Sequence, residues 1–225
     1  MANFFDSSLE FLKGVGPQRA ALLQKELKLF TFGDLIQYFP FRHEDRTRFY
    51  QVNEVNDLMP HVQLKGKITD FEIIGGGFKK RLVGYFEDGS GGLELVWFQG
   101  INWVMQKIKP NTEYVVFGKP NRFGNKLSIA HPEIELLTAG NEKGGFLQPV
   151  YNVSEKLKAR YVDSKFLGKL VKEVLKGAQS HIRETLPPAL LQKQKLIERK
   201  TALIAIHFPQ NHEQLAVAQS RLKFE

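Results

Sequence analysis

Two aromatic residues near the end of an apolar run are placed where they could stack on a flat, unpaired nucleotide base. In the run GLELVWF, strand-like alternation puts both leucines and Trp97 on one side and Phe98 on the other. Trp103 follows shortly afterwards, in QGINW. An aromatic ring that protrudes from a strand end can stack on an unpaired base, worth about 1–3 kcal/mol per base. We therefore predict stacking at Phe98 and Trp103; packing beneath neighbouring helices is the alternative for both.

Basic residues cluster in two predicted turns of the same segment. One cluster follows a run of three glycines, and the other surrounds the turn in KPNRFGNK, where no acidic residue occurs between Tyr114 and Pro132. Such side chains can hold phosphates while aromatic residues contact bases. Solvated turn tips without a ligand are the alternative. The predicted phosphate contacts are Lys79, Lys80, Arg81, Lys119, Arg122 and Lys126.

The glycine turn in LKGVGPQRAALL is a further candidate, because N–H groups at the start of a helix can face a phosphate. Gly14 and Gly16 match the outline of a helix-hairpin-helix turn, and Arg19 is a nearby cation. Pro17 fits the first turn of the helix but removes one N–H donor. We therefore expect mainly a packing corner that braces the barrel. Phosphate contact through Gly14, Gly16 and Arg19 is the secondary interpretation.

The composition is that of a globular protein with a basic balance: 225 residues, 42% hydrophobic, 25% charged and a net charge of +8. Most of the excess lies in residues 151–200, which carry 12 Lys and Arg against five acidic residues, whereas residues 51–140 carry ten of each. This charge predicts a polyanionic partner but not a uniformly basic surface. No apolar run approaches the roughly 20 residues that span a bilayer, and no signal peptide is visible. A cytoplasmic protein without a membrane partner is expected.

Common catalytic and metal sites are missing from the sequence. It has no cysteines, which excludes disulfides and thiol nucleophiles. It has no P-loop, no complete dinucleotide fingerprint and no serine nucleophile elbow, and its histidines are not at metal-ligand spacing. His43 lies beside Glu44 and Asp45, where we expect a solvated surface cluster. We predict no catalytic residue, no cofactor and no metal within these residues.

Hydrophobic periodicity divides the chain into three predicted domains: a helical segment at 1–50, a β segment at 51–140 and a second helical segment at 141–225. The β segment contains five short runs rich in β-branched and aromatic residues, with a non-strand piece between the third and fourth. This is the order of a five-stranded OB-fold barrel; another small barrel or a meander is the alternative. The predicted fold class is α+β, with helical hairpins before the barrel and a helical linker after it.

The two helical segments carry start signals. Thr31 and Asp34 are spaced as a capping box, and Asn211 and Gln214 repeat that spacing before the last helix. The last helix still runs at Glu225. We therefore expect this polypeptide to be a fragment of a longer one.

Several stretches together resemble RecG, a family of bacterial branched-DNA helicases. They cover essentially the whole chain in the right order, and the late run from IHFP to RLKFE, which in the family leads into the motor, is the most specific. The stretches are FLKGVGPQRAALLQKELKLFTFGDLIQYFPFRHEDRT, GLELVWFQG, GKPNRFGNKLSIAHPE, LQPVYNVSEKLKARY, LPPALL and AIHFPQNHEQLAVAQSRLKFE.

The resemblance implies an OB-type wedge domain joined by a helical linker to two ATP-driven helicase lobes. In the family the wedge splits strands at stalled forks and Holliday junctions, in replication-fork rescue, recombination and repair. Phe98 occupies the position of a base-stacking aromatic, and Trp103 aligns with the second one only after a small shift. The implied partners are branched DNA (forks, three- and four-way junctions), the helicase lobes of the same polypeptide, and single-stranded-DNA-binding protein. A monomer is expected.

The helicase lobes would follow Glu225, so the resemblance implies that ATP and Mg²⁺ serve the full-length protein. The fragment alone is expected to bind forked DNA without hydrolysing ATP. Two alternatives remain open from the sequence. The region could be a protein-interaction and motor-docking scaffold in which Phe98 is buried, or a stand-alone RNA-binding OB protein that prefers structured RNA to DNA forks.

Overall fold

The chain folds into two compact units. A computed structural model describes residues 3–124, 126–142 and 145–225. The helical unit is built from residues up to 44 together with 146–225, and the barrel unit is 45–145. The two helical segments at the ends of the chain therefore contribute to one unit. The division into domains at 1–50, 51–140 and 141–225 stays a prediction.

The fold is α+β, as the sequence predicts. The helices are α1 (Gly16–Leu27), α2 (Phe32–Gln37), α3 (Ile101–Lys107), α4 (Glu155–Lys158), α5 (Ser164–Ala178), α6 (Pro188–Gln194), α7 (Arg199–His207) and α8 (His212–Phe224). The strands are β1 (Arg42–Asp45), β2 (Val62–Ile74), β3 (Arg81–Glu87), β4 (Gly92–Trp97), β5 (Thr112–Gly118), β6 (Pro120–Phe123), β7 (Lys126–Ala130), β8 (Glu133–Leu136) and β9 (Leu147–Val150). Short 3-10 helices cover Phe4–Asp6, Leu9–Phe11, Val52–Glu54 and Gly77–Lys79. In the described part of the chain, no helix is long and apolar enough to cross a membrane.

The barrel is one seven-stranded sheet in the order β6-β7-β4-β3-β2-β5-β8. β7 pairs in parallel with β4, and two residues later the chain continues as β8, which pairs antiparallel with β5. Because β4 and β5 are separated by β3 and β2 in the sheet, this bent strand closes the sheet into a barrel. With α3 between β4 and β5, the predicted OB-fold is confirmed. The fifth predicted run is β7 and β8 together, and β6 is an additional hairpin partner of β7.

The barrel interior is filled with aliphatic and aromatic side chains. Leu64, Ile68, Leu82, Leu95 and Ile129 are fully buried, and Phe86 and Trp97 complete the same cluster. The backbone also approaches closely, since a Cβ on Gly66 would lie 2.3 Å from the backbone oxygen of Glu87. The rigid interior holds the strand ends, and the side chains at those ends, in fixed positions.

The helical unit follows the predicted helix signals. Thr31 Oγ1 accepts a hydrogen bond from the Asp34 N–H at 3.1 Å, and Asp34 Oδ2 accepts one from the Thr31 N–H at 2.9 Å. Asn211 caps α8 in the same way by accepting from the Gln214 N–H at 2.8 Å. Apolar side chains of α5 form much of the core of this unit. They include Leu167, Leu170, Val174 and Leu175.

An arginine in α8 fixes the C-terminal part of the helical unit. Arg221 is fully buried, and its guanidinium donates to the carbonyl of Ile197 at 3.0 Å, to Glu225 at 3.0 Å and to Glu184 at 2.6 Å. Partial burial opposes ionisation of Glu184, but hydrogen bonds from three backbone N–H groups and from Arg221 outweigh it and lower the pKa of this carboxyl to about 2. The RLKFE run therefore has a structural role within this unit.

One histidine of the helical unit lies in its interior, and a second is partly buried. The ring of His207 is fully buried, with Nε2 2.9 Å from the carbonyl oxygen of Ile36 and Nδ1 2.9 Å from the hydroxyl of Tyr151. The neutral ring donates from Nε2 and accepts at Nδ1, and burial lowers its pKa to about 4. His43 is half-buried and burial also lowers its pKa, so the expectation of a solvated cluster at this position is wrong.

We expect the helical unit to lose stability in mild acid. The folded pKa of His207 lies below the ordinary value of 6.5, so the unfolded chain binds the proton more tightly. The free energy of unfolding should fall by about 3 kcal/mol as the pH drops from 6.5 to 4. Urea titrations at several pH values measure this, and His207→Gln should flatten the dependence. His181→Gln, an exposed site in the same unit, is the control. If the free energy of unfolding of His207→Gln depended on pH as strongly as that of the parent, the dependence could not be attributed to His207.

Candidate nucleic-acid interface

Phe98 projects from the barrel at the end of β4. The alternation predicted from the sequence is present: Leu93, Leu95 and Trp97 point into the core and are at most 5% exposed. Phe98 follows Trp97 and is 57% exposed. Its ring is therefore accessible at the mouth of the barrel.

Neighbouring strand ends place other side chains beside Phe98. Leu82 pairs with Trp97 across β3 and β4, so Arg81, which precedes Leu82, lies next to Phe98 at the same end of the sheet. On the other side, Val96 pairs with Ala130, which places His131 next to Phe98. The Phe98 N–H donates to His131 Nε2 at 3.3 Å, and the two ring centroids are 5.7 Å apart.

The glycine turn between β2 and β3 brings further cations to this end. Gly75 and Gly77 adopt positive φ angles of 80° and 56°, which lets the turn fold tightly ahead of Lys79 and Lys80. Both lysines are exposed, and Arg81 is half-buried. The turn therefore presents charge next to the strand end that carries Phe98.

Lys119 lies at the same end of the barrel unit, and Trp103 follows Phe98 closely along the chain. Pro120 pairs with Ile129, so Lys119 is at the end of β6 nearest His131, and it is exposed. Trp103 is in α3, which begins three residues after Phe98, and its side chain is 61% exposed. We call this surface the aromatic rim. It consists of Lys79, Lys80, Arg81, Phe98, Trp103, Lys119 and His131.

Arg122 and Lys126 lie at the other end of the barrel, in the β6–β7 hairpin. Lys126 starts the strand whose far end reaches Phe98. Its Nζ lies 2.5 Å from Glu94 Oε1, and this hydrogen bond and charge raise the pKa of Lys126. Arg122 Nε lies 3.6 Å from Asp57 Oδ1. The sequence grouped Lys119, Arg122 and Lys126 in one cluster, but the structure places Lys119 at the aromatic rim and the other two, each paired with a carboxylate, away from it. Phosphate contact at Arg122 and Lys126 stays a prediction.

The glycine turn before α1 forms a packed corner within the helical unit. Gly14 and Gly16 have φ angles of 90° and 60°, which favour glycine. Arg19 Nη1 donates to the Gly14 carbonyl at 2.6 Å, and its guanidinium lies 5.1 Å from the centre of the Phe166 ring. These contacts lie within the helical unit, and a packing corner that braces the barrel stays a prediction. A phosphate contact at these residues stays a prediction that the structure does not test.

The sequence alone does not assign a role to His131 of the aromatic rim, although a His-Pro pair that interrupts an apolar run signals a strand break. It also gives no role to Phe123, which is 79% exposed in the β6–β7 hairpin, at the opposite end of the barrel. No group of His, Cys, Asp and Glu that could hold a metal ion occurs among the described residues.

A closed five-run barrel with a helix between its third and fourth runs defines an OB-fold protein. The family model of the RecG wedge domain matches residues 8–176. The chain therefore belongs to the RecG wedge family, as its sequence motifs predict.

Curated relatives and a solved structure agree with this assignment. The ATP-dependent DNA helicase RecG of Thermotoga maritima is 28% identical, over 97% of this chain and 27% of its own length. The RecG helicase of Streptococcus pneumoniae is 32% identical, over 96% of this chain and 30% of its own length. A solved structure of RecG bound to a three-way DNA junction matches 99% of this chain and 30% of that chain, with a TM-score of 0.77 and 26% identity. The chain thus spans less than a third of the length of these relatives.

We expect the two tryptophans to differ strongly in quenching by acrylamide. Trp97 is 4% exposed inside the barrel and Trp103 is 61% exposed on the aromatic rim. Trp103→Phe should remove most of the quenchable fluorescence, and Trp97→Phe should leave a single, readily quenched emission. Stern–Volmer plots measure both; a Trp103→Phe protein as quenchable as the parent would contradict the exposure of this side chain.

Proposed function

We propose that this chain is the branched-DNA-binding region of a RecG-like ATP-dependent helicase that acts in replication-fork rescue, recombination and repair. The observation that carries the proposal is the aromatic rim: Phe98 is 57% exposed at a strand end and cations flank it on neighbouring strands. The similarity to a structure of RecG bound to a three-way DNA junction supports branched DNA as the ligand.

In the proposed complex, phosphates and bases are bound by different parts of the aromatic rim. Lys79, Lys80, Arg81 and Lys119 contact the backbone, which positions the DNA without reading its sequence. Phe98 stacks on a base that is unpaired at the branch point, and Trp103 provides a second apolar surface. A fork or junction offers unpaired bases next to duplex backbone, whereas plain duplex offers only backbone. This difference gives the site its preference for branched DNA.

The remaining activity is assigned to the parts of the relatives that this chain does not span. The matched relatives are ATP-dependent helicases, and the chain itself contains no P-loop sequence. We propose that ATP and Mg²⁺ are bound by helicase lobes of the same polypeptide, that the protein acts as a monomer in the bacterial cytoplasm, and that single-stranded-DNA-binding protein is a further partner. Catalysis of unwinding belongs to those lobes.

The exposure of Phe98 favours this proposal over the scaffold alternative, in which Phe98 would be buried. The RNA-binding alternative predicts tighter binding to structured RNA than to a DNA fork. Fluorescence anisotropy distinguishes these three functions when it is measured with a labelled three-way junction, a duplex of equal length and an RNA hairpin. The proposal expects the junction to bind most tightly, and equal affinity for junction and duplex would overturn it.

Phe98→Ala should weaken junction binding about 5- to 150-fold, because one base-stacking contact of about 1–3 kcal/mol is lost. Duplex affinity should hardly change, since duplex offers no unpaired base. Phe123→Ala is the matched control: Phe123 is also an exposed phenylalanine of the barrel, 79% accessible, but it lies in the hairpin at the opposite end. Equal losses for both variants, measured by anisotropy, would refute a specific role of Phe98.

Lysines at the two ends of the barrel should contribute differently to the salt dependence of junction binding. Lys80→Ala should reduce the slope of log K against log salt by about 1, because one phosphate contact is lost. Lys126→Ala should change the slope much less, because Lys126 is paired with Glu94. Titrations of the three-way junction at several salt concentrations measure both slopes. A larger change for Lys126→Ala than for Lys80→Ala would contradict the proposed placement of DNA on the aromatic rim.

A further inference from the structure

We propose that His131 is a positioning residue, which holds the backbone and ring of Phe98 in the orientation needed to stack on a base. This inference rests on the proposed stacking function of Phe98. It adds a residue from a different strand, 33 positions further along the chain.

The hydrogen bond between the two residues defines the state of the imidazole. Phe98 is the first residue after β4, where the ladder hydrogen bonds of the strand end. Its N–H donates to His131 Nε2 at 3.3 Å. Nε2 must be unprotonated to accept, so the proton of the neutral ring is on Nδ1. The imidazole thereby continues the hydrogen bonding of β4 by one residue beyond its last backbone pair.

The ring contact restrains the Phe98 side chain as well as its backbone. The centroids of the two rings are 5.7 Å apart and their planes are inclined by 49°. Such tilted contacts are a favourable arrangement of aromatic rings. Phe98 still exposes 57% of its surface, so the contact restrains the ring while leaving area for a base.

His131 is itself held by the bend between β7 and β8. Its φ angle is 45°, an uncommon conformation for a residue other than glycine. Its N–H donates to the carbonyl of Val96 at 2.8 Å. The next residue is Pro132, whose ring fixes its own φ angle. Glu133 then forms an ion pair with Arg46, whose guanidinium lies 3.7 Å from the centre of the Phe117 ring. The support for Phe98 is therefore anchored on both sides of the bend.

A restrained side chain loses less conformational freedom when it binds. Without the imidazole, Phe98 would have to give up backbone and rotamer freedom at the moment of stacking. We expect His131→Ala to weaken junction binding about 3- to 10-fold, which is the typical cost of immobilising one side chain expressed as a ratio of affinities. The aromatic ring itself remains present in this variant.

A double-mutant cycle tests the coupling. In the complete chain, His131→Ala, Phe98→Ala and the double variant are titrated with a labelled three-way junction. His131→Ala should weaken binding in the parent and have almost no further effect when Phe98 is already alanine. His131→Gln should restore part of the affinity, because the glutamine oxygen can accept a hydrogen bond. His181→Ala, at an exposed histidine of the helical unit, should bind like the parent.

Nuclear magnetic resonance tests the contact without DNA. The ¹⁵N–¹H signal of Phe98 should shift strongly in His131→Ala, and long-range ¹H–¹⁵N spectra should show Nδ1 protonated and Nε2 unprotonated in the free protein. If alanine is not tolerated at a φ angle of 45°, His131→Gly removes the side chain without that strain and takes its place in every comparison.

The outcomes separate this inference from the proposed function. Additive losses in the cycle, or an unmoved Phe98 amide in both His131→Ala and His131→Gly, would overturn the positioning role while leaving stacking by Phe98 intact. An unchanged affinity in Phe98→Ala would overturn stacking and the positioning role together, even if the amide shift is observed. Coupled losses with a shifted amide support both.

Discussion

The closure of the barrel depends on one strand that changes its partner. β7 pairs with β4 up to Ala130, and β8 pairs with β5 from Glu133, so only His131 and Pro132 connect two opposite parts of the sheet. A strand can make this change only through a sharp bend, which here uses a left-handed φ angle and a proline. The strand next to the bend needs a glycine at position 118, because a Cβ on Gly118 would lie 2.3 Å from Ile129 Cγ2. The geometry that seals the core thus also determines which side chains surround Phe98.

The barrel unit has little net charge but an uneven distribution of it. At the aromatic rim, exposed lysines flank an accessible phenylalanine. Elsewhere in the sheet, Glu94 pairs with Lys126, and the Tyr85 hydroxyl donates to Glu72 at 2.6 Å, so these carboxylates are engaged within the barrel unit. The balanced total charge of the unit therefore coexists with a local excess of positive charge at the aromatic rim.

Features determined by neighbours in the sequence could be predicted, and contacts between distant residues could not. Strand order, the capping box at Thr31 and the outward direction of Phe98 follow from local spacing, and the structure has each of them. The partners of Lys126 and Phe98 are 32 and 33 positions away in the chain, and no local pattern reports such pairs. The same holds for the partial burial of His43, because the charged residues beside it in the sequence indicate a solvated site. Arg221, in a run recognised only by family resemblance, proved to be a buried structural residue.

The chain enters and leaves the barrel unit at two positions that lie side by side. The N–H of Gly145 donates to the carbonyl of Arg46 at 2.7 Å, so the first and last residues of the barrel unit are held side by side. The barrel is therefore an insertion within the helical unit, whose two halves are separated by about a hundred residues of sequence. During synthesis, the whole barrel leaves the ribosome before the second half of the helical core exists. The barrel can form from contiguous sequence, whereas the helical unit has to wait for its late partner strands and helices, which makes it the slower part to mature.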